Sequence, residues 1–227
     1  IGFSGADVIR ANYQGDVGLH VAKSIWGILK KDSTFISGGA SLQEKVTFMG
    51  SCYSLGHQAY EEDPEAKIEI IAINKKVYEQ SDEQVNKIYT AGRALSLEHF
   101  EELYKKLGTK FDYYFFESQT WRAGKALVES HISDGIFEES KGAIIFAGEK
   151  YGLHTRVFIN SEGITTYEAK DLGLCELKIE TVPHFDQSII TTAVETKEYF
   201  KVVHKAFSLI HPDAVVATHI GHGFLRL

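Results

Sequence analysis

The sequence predicts an α/β fold with a mostly parallel sheet and helices on its faces. Short apolar stretches typical of strands alternate with longer stretches whose apolar residues recur at helical spacing. The clearest helical pattern places Tyr199, Val202, Val203, Ala206 and Phe207 on a single face. With 227 residues, 44% of them hydrophobic, the chain is long enough for one large domain with a substantial core.

The composition excludes several classes of protein. A net charge of −7 argues against this stretch being the main electrostatic anchor for nucleic acid. Cys52 and Cys175 are far apart and lack metal-binding spacing, so we expect buried thiols and a cytoplasmic location. No apolar run reaches the roughly 18 residues of a membrane span, and the first residues lack a signal-peptide pattern. The missing initial Met and the apolar end at Leu227 predict a piece of a longer protein.

The first predicted elements are a strand, a turn and a helix. Residues 6–13 carry the apolar residues of a short strand, and Gly15 and Gly18 break it. Apolar residues at helical spacing follow from Val21. Two glycines are too few for a phosphate-binding loop, so we interpret this segment as a tight turn.

Residues 41–107 are predicted to form a block of helices. Ser41 begins the first with a capping box, and Asp63, followed by proline, caps the second. Gly108 ends the third. This block resembles an insertion between strands.

The next section, 110–160, predicts strands again. An aromatic strand over 110–116 precedes a helix that starts at Ser118, and strands at 143–146 and 155–159 flank turn residues as in a hairpin.

The last section, 161–227, predicts two capping boxes and two strands. The boxes lie at 165–168 and 192–195, each before a helix. The strands lie at 188–191 and 214–218.

Candidate binding residues lie where predicted elements begin or end. Tyr167 and Asp171 are four residues apart near a helix start, so they share a face and suit a planar cation such as a guanidinium. Glu117 follows an apolar strand, which is either a ligand-binding position or a carboxylate favoured by the helix dipole. No nucleophile elbow, Walker loop or dinucleotide fingerprint is present.

His219-Ile220-Gly221-His222 matches the letters of a nucleotide-binding signature of class I aminoacyl-tRNA synthetases. The functional signature leads into a helix near the start of the nucleotide-binding fold. These residues come after most of the predicted sheet, so we reject the literal match. A zinc site is rejected too, because two histidines need further ligands and none lies at suitable spacing.

Five segments in the same order resemble the catalytic domain of arginyl-tRNA synthetase, a class I enzyme. They are Asn-Tyr-Gln-Gly-Asp-Val-Gly-Leu-His (12–20), the strand ending in Glu-Ser (111–119), the hairpin followed by Thr-Tyr-x-x-x-Asp (157–174), Glu-Thr-x-x-Tyr-Phe (195–200) and 219–227. The resemblance implies a Rossmann-like nucleotide-binding domain with a helical insertion and a β-hairpin. It implies that 1–227 is part of one catalytic domain.

The resemblance also implies a reaction and its residues. ATP, as its Mg complex, and arginine would give arginyl-adenylate, and the arginyl group would pass to tRNA(Arg), with no tightly bound cofactor. Asp171 and Tyr167 would hold the guanidinium, and Glu117 the ammonium. Thr196 stands where the family usually has Gln. The ATP contacts would be His219, Gly223, Phe224 and Leu225.

Both ATP signature loops of the class are absent from the sequence. We expect them before Ile1 and after Leu227, so the catalytic residues are unknown and the chain alone should be nearly inert. Two alternatives remain open from the sequence. One is another class I synthetase, and the other is a non-catalytic binding module on a nucleotide-binding fold.

Overall fold

The computed structural model describes residues 1–182 and 184–223. The chain divides into two compact units, Ile1–Ser118 and a second that begins at Gln119. Each unit has its own cluster of buried apolar side chains and its own pair of parallel strands.

The first unit places helices between two paired strands. Its elements are β1 (Ala11–Gln14), α1 (Leu19–Lys31), α2 (Leu42–Glu62), α3 (Pro64–Glu79), α4 (Glu83–Leu107) and β2 (Tyr113–Phe116). The strands are parallel, with Gln14 opposite Phe116. The predicted helices between 41 and 107 are confirmed. The strands are shorter than predicted, because 6–10 and 110–112 lie outside them.

The caps predicted in this unit form as expected. The Ser41 backbone donates to the Glu44 carboxylate at 2.8 Å, and the Glu44 backbone donates to the Ser41 hydroxyl at 3.3 Å. Asp63 accepts from the first backbone N–H groups of α3. Gly108 ends α4 with a φ of 66°, a conformation that suits glycine. These contacts join residues close in sequence, so the local pattern decides them.

The second unit combines a hairpin sheet with a parallel pair. Its elements are the rest of α5 (Glu117–Ser130), β3 (Glu138–Ser140), β4 (Ala143–Phe146), β5 (Arg156–Ile159), α6 (Tyr167–Thr181), β6 (Ile189–Ala193), α7 (Lys197–Ile210) and β7 (Thr218–His222). Strands β3, β4 and β5 are antiparallel, whereas β6 and β7 are parallel. The α/β class with parallel pairing and a hairpin is therefore confirmed, although β3 was not predicted.

Three local predictions in the second unit are wrong. The box predicted at 165–168 does not form, because α6 begins only after Thr166. The Thr166 hydroxyl makes no cap hydrogen bond and donates instead to backbone carbonyls of β5, at 2.8 Å from Val157. Thr192 lies within β6, and α7 begins only at Lys197. The strand predicted at 214–218 is β7, which starts at Thr218. In the first two cases the hydroxyl bonds to a group distant in sequence, Thr166 to β5 and Thr192 to His219.

Helices α5 and α6 cross at two glycines. A Cβ added to Gly124 would lie 1.8 Å from the Ala169 carbonyl oxygen, and one added to Gly173 would lie 2.2 Å from the Thr120 carbonyl oxygen. The backbones thus touch directly, and only glycine permits this distance. The crossing fixes the turn of α6 between Ala169 and Gly173. Within the described residues, no helix has the length and apolarity to cross a membrane.

Candidate functional site

The carboxyl ends of β1 and β2 bring Gly15 and Glu117 together in the first unit. Glu117 directly follows β2 and is only 7% exposed. A Cβ on Gly15 would lie 3.2 Å from Glu117 Oε1, so a side chain here would press on the carboxylate. His20 Nε2 lies 3.3 Å from the Gly15 carbonyl oxygen. Glu117 therefore stands where open α/β sheets bind ligands.

Asp16, which the sequence pattern did not single out, is buried in this region and accepts several hydrogen bonds. Its carboxylate accepts hydrogen bonds from Arg93 Nε at 2.7 Å and from the Ser118 backbone N–H at 2.8 Å and hydroxyl at 2.7 Å. The Tyr89 hydroxyl donates to it at 3.3 Å. Burial, followed by the charge of Asp16, raises the pKa of Tyr89. Asp16 therefore ties the β1–α1 turn to α4 and to the start of α5.

A cavity of about 750 Å³ lies between the end of β1 and helices α1, α2 and α4. Apolar side chains such as Ile25, Met49 and Phe100 line its walls. Among the described residues, Asp16 is the one acidic residue in this lining, and Arg93 already neutralises it. The cavity is therefore poorly suited to a cationic ligand, which needs an uncompensated carboxylate.

Helix α6 carries Tyr167 and Asp171 in the second unit. Tyr167 is its first residue and is 61% exposed, with Lys170 Nζ 5.0 Å from the ring centroid. Asp171 follows one turn later and is half-buried. The Tyr199 hydroxyl of α7 donates a hydrogen bond to Asp171 Oδ2. The predicted pair thus lies on one helix, and Tyr199 is a neighbour that the pattern had placed only in an apolar stripe.

Thr196 and His219, predicted for different ligands, are in contact. The His219 Nε2 atom lies 3.3 Å from Thr196 Oγ1 and 2.7 Å from Thr192 Oγ1. The His219 ring stacks on Phe200, with centroids 4.8 Å apart. Thr196 also donates to the Ala193 carbonyl at 2.8 Å. These bonds link β6, β7 and the start of α7.

The histidine-rich end of the described chain is a strand. Residues 219–222 all belong to β7, which pairs with β6. This geometry supports the rejection of the literal signature, because the signature belongs to a loop that leads into a helix. Gly221 is sterically required, since its Cβ would lie 2.8 Å from Val194 Cα. Gly223 is exposed, and no atom of the described residues lies within 4 Å of a Cβ added to it. Phe224 and Leu225 lie outside the described residues.

Buried titratable groups surround this part of the second unit. Burial, with smaller contributions from Lys178 and His219, lowers the pKa of His204 to about 4. Burial also lowers the pKa of Lys178, partly offset by Cys175 and Asp171. It raises the pKa of Cys175 to about 12, so the thiol is not a nucleophile. Within the described residues, no three acidic, histidine or cysteine side chains group as metal ligands.

The candidate residues are divided between the two units. Glu117 belongs to the first, and Tyr167, Asp171, Thr196, His219 and Gly223 belong to the second. Sequence reasoning missed Asp16 and Tyr199. For Asp16 the sequence did contain a signal, because this carboxylate lies between Gly15 and Gly18 at the end of a predicted strand. Nothing in the helical pattern marked the hydroxyl of Tyr199.

Comparisons with known proteins show the family of the chain. The family model described as tRNA synthetases class I (R), catalytic domain, matches residues 1–226. The chain belongs to this family. The resemblance to arginyl-tRNA synthetase is confirmed. An arginine–tRNA ligase from Treponema pallidum is 25% identical over the whole chain, and one from Latilactobacillus sakei is 30% identical over 86% of it.

Solved structures support the class I synthetase fold. The chain is similar to the arginyl-tRNA synthetase of Plasmodium falciparum, with a TM-score of 0.77, 18% identity and 98% of the chain covered. The Thermus thermophilus arginyl-tRNA synthetase gives a TM-score of 0.64, 22% identity and 98% coverage. The chain spans 37% and 42% of those two chains. It spans 38% of the Treponema relative and 34% of the Latilactobacillus relative.

Proposed function

We propose that the chain supplies the amino-acid-binding part of an arginine–tRNA ligase. The enzyme joins arginine to ATP, releases pyrophosphate, and transfers the arginyl group from the adenylate to tRNA(Arg). The half-buried carboxylate of Asp171, one helical turn after Tyr167, is the observation that carries this proposal. Both compact units would belong to one catalytic domain, as the span of the family match suggests.

Asp171 would recognise the guanidinium of arginine. A planar guanidinium pairs well with a carboxylate, and partial burial strengthens the attraction. Tyr167, at the exposed start of α6, would contribute its ring or hydroxyl at the edge of the same site. Thr196 lies at the N-terminal end of α7 and would contact arginine. Glu117 would bind the ammonium group of the substrate.

ATP would bind at the end of β7. His219 and Gly223 lie at or beside this strand, and Phe224 and Leu225 would follow them. Backbone groups at a strand end can meet adenine, and Gly223 has no side chain that would hinder the approach of the ring. Mg²⁺ would arrive with the ATP phosphates as part of the substrate. We also propose a cytoplasmic location, where tRNA is charged.

The test is Asp171→Asn in the full-length gene product, measured by arginine-dependent pyrophosphate exchange with tRNA present. A buried guanidinium that loses its counter-charge costs about 3–5 kcal/mol, so we expect the arginine KM to rise at least about a hundredfold. The ATP KM should change little, because Asp171 is assigned to the amino acid.

The matched control is Asp186→Asn, which removes a carboxylate that is 97% exposed in the same unit. It should leave the arginine KM unchanged. An Asp171→Asn enzyme with the normal arginine KM would contradict the proposal. A non-catalytic binding module would show no arginine-dependent exchange even in the unchanged protein.

A further inference from the structure

A chain of contacts in the second unit leads from α6 out to β5 and back through α7. Glu168 of α6 accepts a salt bridge from Arg156 Nη1 at 3.2 Å. The Arg156 guanidinium carbon lies 5.6 Å from the centroid of the Tyr199 ring. The Tyr199 hydroxyl then donates to Asp171, three residues beyond Glu168. Both ends of the chain of contacts are therefore on α6.

Tyr199 is held on more than one side. Its ring packs edge-on against the buried Phe200, with centroids 5.0 Å apart, while Arg156 lies over a face. An aromatic ring fixed in this way has little rotamer freedom, so its hydroxyl has a defined direction. A hydroxyl that donates to a carboxylate oxygen also limits rotation of the carboxylate plane.

We propose that Tyr199 is a positioning residue that sets the orientation of the Asp171 carboxylate and thereby the preference for a guanidinium. The inference rests on the proposed function of Asp171. Two parallel N–H···O bonds form only when the guanidinium and the carboxylate are coplanar. A carboxylate held at one angle selects that geometry. Citrulline has a neutral urea group in place of the guanidinium, so it lacks the positive charge that strengthens the two bonds to the carboxylate.

The primary test is Tyr199→Phe in the full-length gene product. The substitution removes one oxygen atom and keeps the ring. We expect the arginine KM to rise about tenfold, the scale of one hydrogen bond to a charged group. The kcat should remain within about twofold, because Tyr199 acts through Asp171 and not on the reacting atoms. The binding preference for arginine over citrulline should fall by about the same factor as KM rises.

The control is Tyr151→Phe, which removes the same atom from a more exposed tyrosine whose ring also packs against an aromatic ring and a cation. Tyr151 stacks on Phe146, and Lys205 Nζ lies 4.8 Å from its ring centroid. This variant should keep the normal arginine KM. Arg156→Lys is a second variant, which keeps a positive charge beside Glu168 but loses the planar group over Tyr199. It should raise the arginine KM about threefold, and thermal melting should show that each variant is folded.

A double variant separates failure of this inference from failure of the proposed function. With Asp171→Asn already present, Tyr199→Phe should add little further change in the arginine KM. If Asp171→Asn alone has no effect, the arginine assignment itself fails. If Asp171→Asn acts but both Tyr199→Phe and Arg156→Lys leave KM unchanged, the positioning role is overturned. Fully additive effects would overturn it as well, because Tyr199 would then act independently of Asp171.

Discussion

The helix pair α1–α2 in the first unit and the pair α5–α6 in the second are built alike. In the first, Cβ atoms added to Gly27 and Gly56 would each lie 2.1 Å from a backbone oxygen of the opposite helix, on Cys52 and Lys23 respectively. In the second, Gly124 and Gly173 make the equivalent contacts with Ala169 and Thr120. Reciprocal glycines therefore close both crossings.

The two crossings differ in what they hold. Around α1–α2 the neighbouring polar contacts join the two helices to each other, such as that of Lys23 Nζ with His57 Nδ1 at 3.1 Å. The α5–α6 crossing contacts Ala169 and Gly173, which lie two residues before and after Asp171. The same backbone contact thus provides packing in one pair, and in the other it also sets the position of the proposed guanidinium ligand.

Gly173→Ala should have the largest effect on both properties. Its Cβ would meet the Thr120 carbonyl oxygen at 2.2 Å and the Gly124 backbone nitrogen at 2.6 Å, so one helix must move. We expect a loss of about 3 kcal/mol in unfolding free energy, measured by urea denaturation. At temperatures where the variant is folded, the arginine KM should also rise about tenfold, because Asp171 shifts with the helix.

The matched variant in the other pair is Gly56→Ala. Its Cβ would lie 2.1 Å from the Lys23 carbonyl oxygen, so the steric conflict is equally severe. We expect a similar loss of stability and an unchanged arginine KM. A change in arginine KM as large as that of Gly173→Ala would show that the comparison does not separate packing from function.

Asp16→Asn tests the hydrogen bonds and the salt bridge by which Asp16 joins α4 and the start of α5 in the first unit. The change leaves Arg93 without its buried counter-charge and weakens the two bonds from Ser118. Because Arg93 is 31% exposed, water compensates part of the loss, and we expect about 2 kcal/mol by urea denaturation. Asp7→Asn, at an exposed position, is the control. Equal stability of the two variants would mean that Arg93 and Ser118 find other partners.

The contacts that the sequence predicted are those that join close neighbours. The box between Ser41 and Glu44 formed, because both partners lie within one turn. Thr165 and Glu168 have the same local spacing, but no box forms there. The helix begins after Thr166, whose hydroxyl bonds to β5, since a strand brought there by the hairpin offers carbonyl groups. The α6 start near Tyr167 was still predicted, because its helix needs only the local spacing.

The parts of the candidate site that the sequence did not predict depend on which helices pack together. In the sequence, Gly124 and Gly173 are residues of low helix propensity within helices. Only the close approach of the two backbones at the crossing explains why glycine is needed there. Tyr199 fits the apolar stripe of α7, and its hydroxyl gains a role only from Asp171 on another helix. The pairing of elements is set by the whole fold, so neither residue could be assigned from its own neighbourhood.

Acid pH should weaken the second unit through His204. Its Nε2 atom is buried without a hydrogen-bond partner among the described residues, and Lys178 and His219 face it. Burial lowers its pKa to about 4, against 6.5 when unfolded. Between these values the unfolded chain binds a proton that the folded chain does not, so stability falls as the pH drops from 6.5 towards 4.

We expect a loss of about 1 kcal/mol between pH 7 and pH 5, reduced from the full shift because the ring keeps some solvent contact. Hydrogen exchange should show the loss in amides of α7 and not in those of α1. His204→Gln should flatten the pH dependence, whereas His184→Gln, at an exposed side chain, should not. An unchanged pH profile in His204→Gln would refute the assignment.

The two buried thiols can report on the two helix pairs separately. Burial raises the pKa of both Cys52 in α2 and Cys175 in α6, so neither should react with a disulfide reagent in the folded protein at pH 8. Gly56→Ala should accelerate labelling of Cys52 alone, and Gly173→Ala that of Cys175 alone, with mass spectrometry of the peptides identifying each site. The effect is a change in opening rate that needs no global unfolding. If either substitution accelerates both thiols equally, the helix pairs open together, and the glycines of one pair also protect the other.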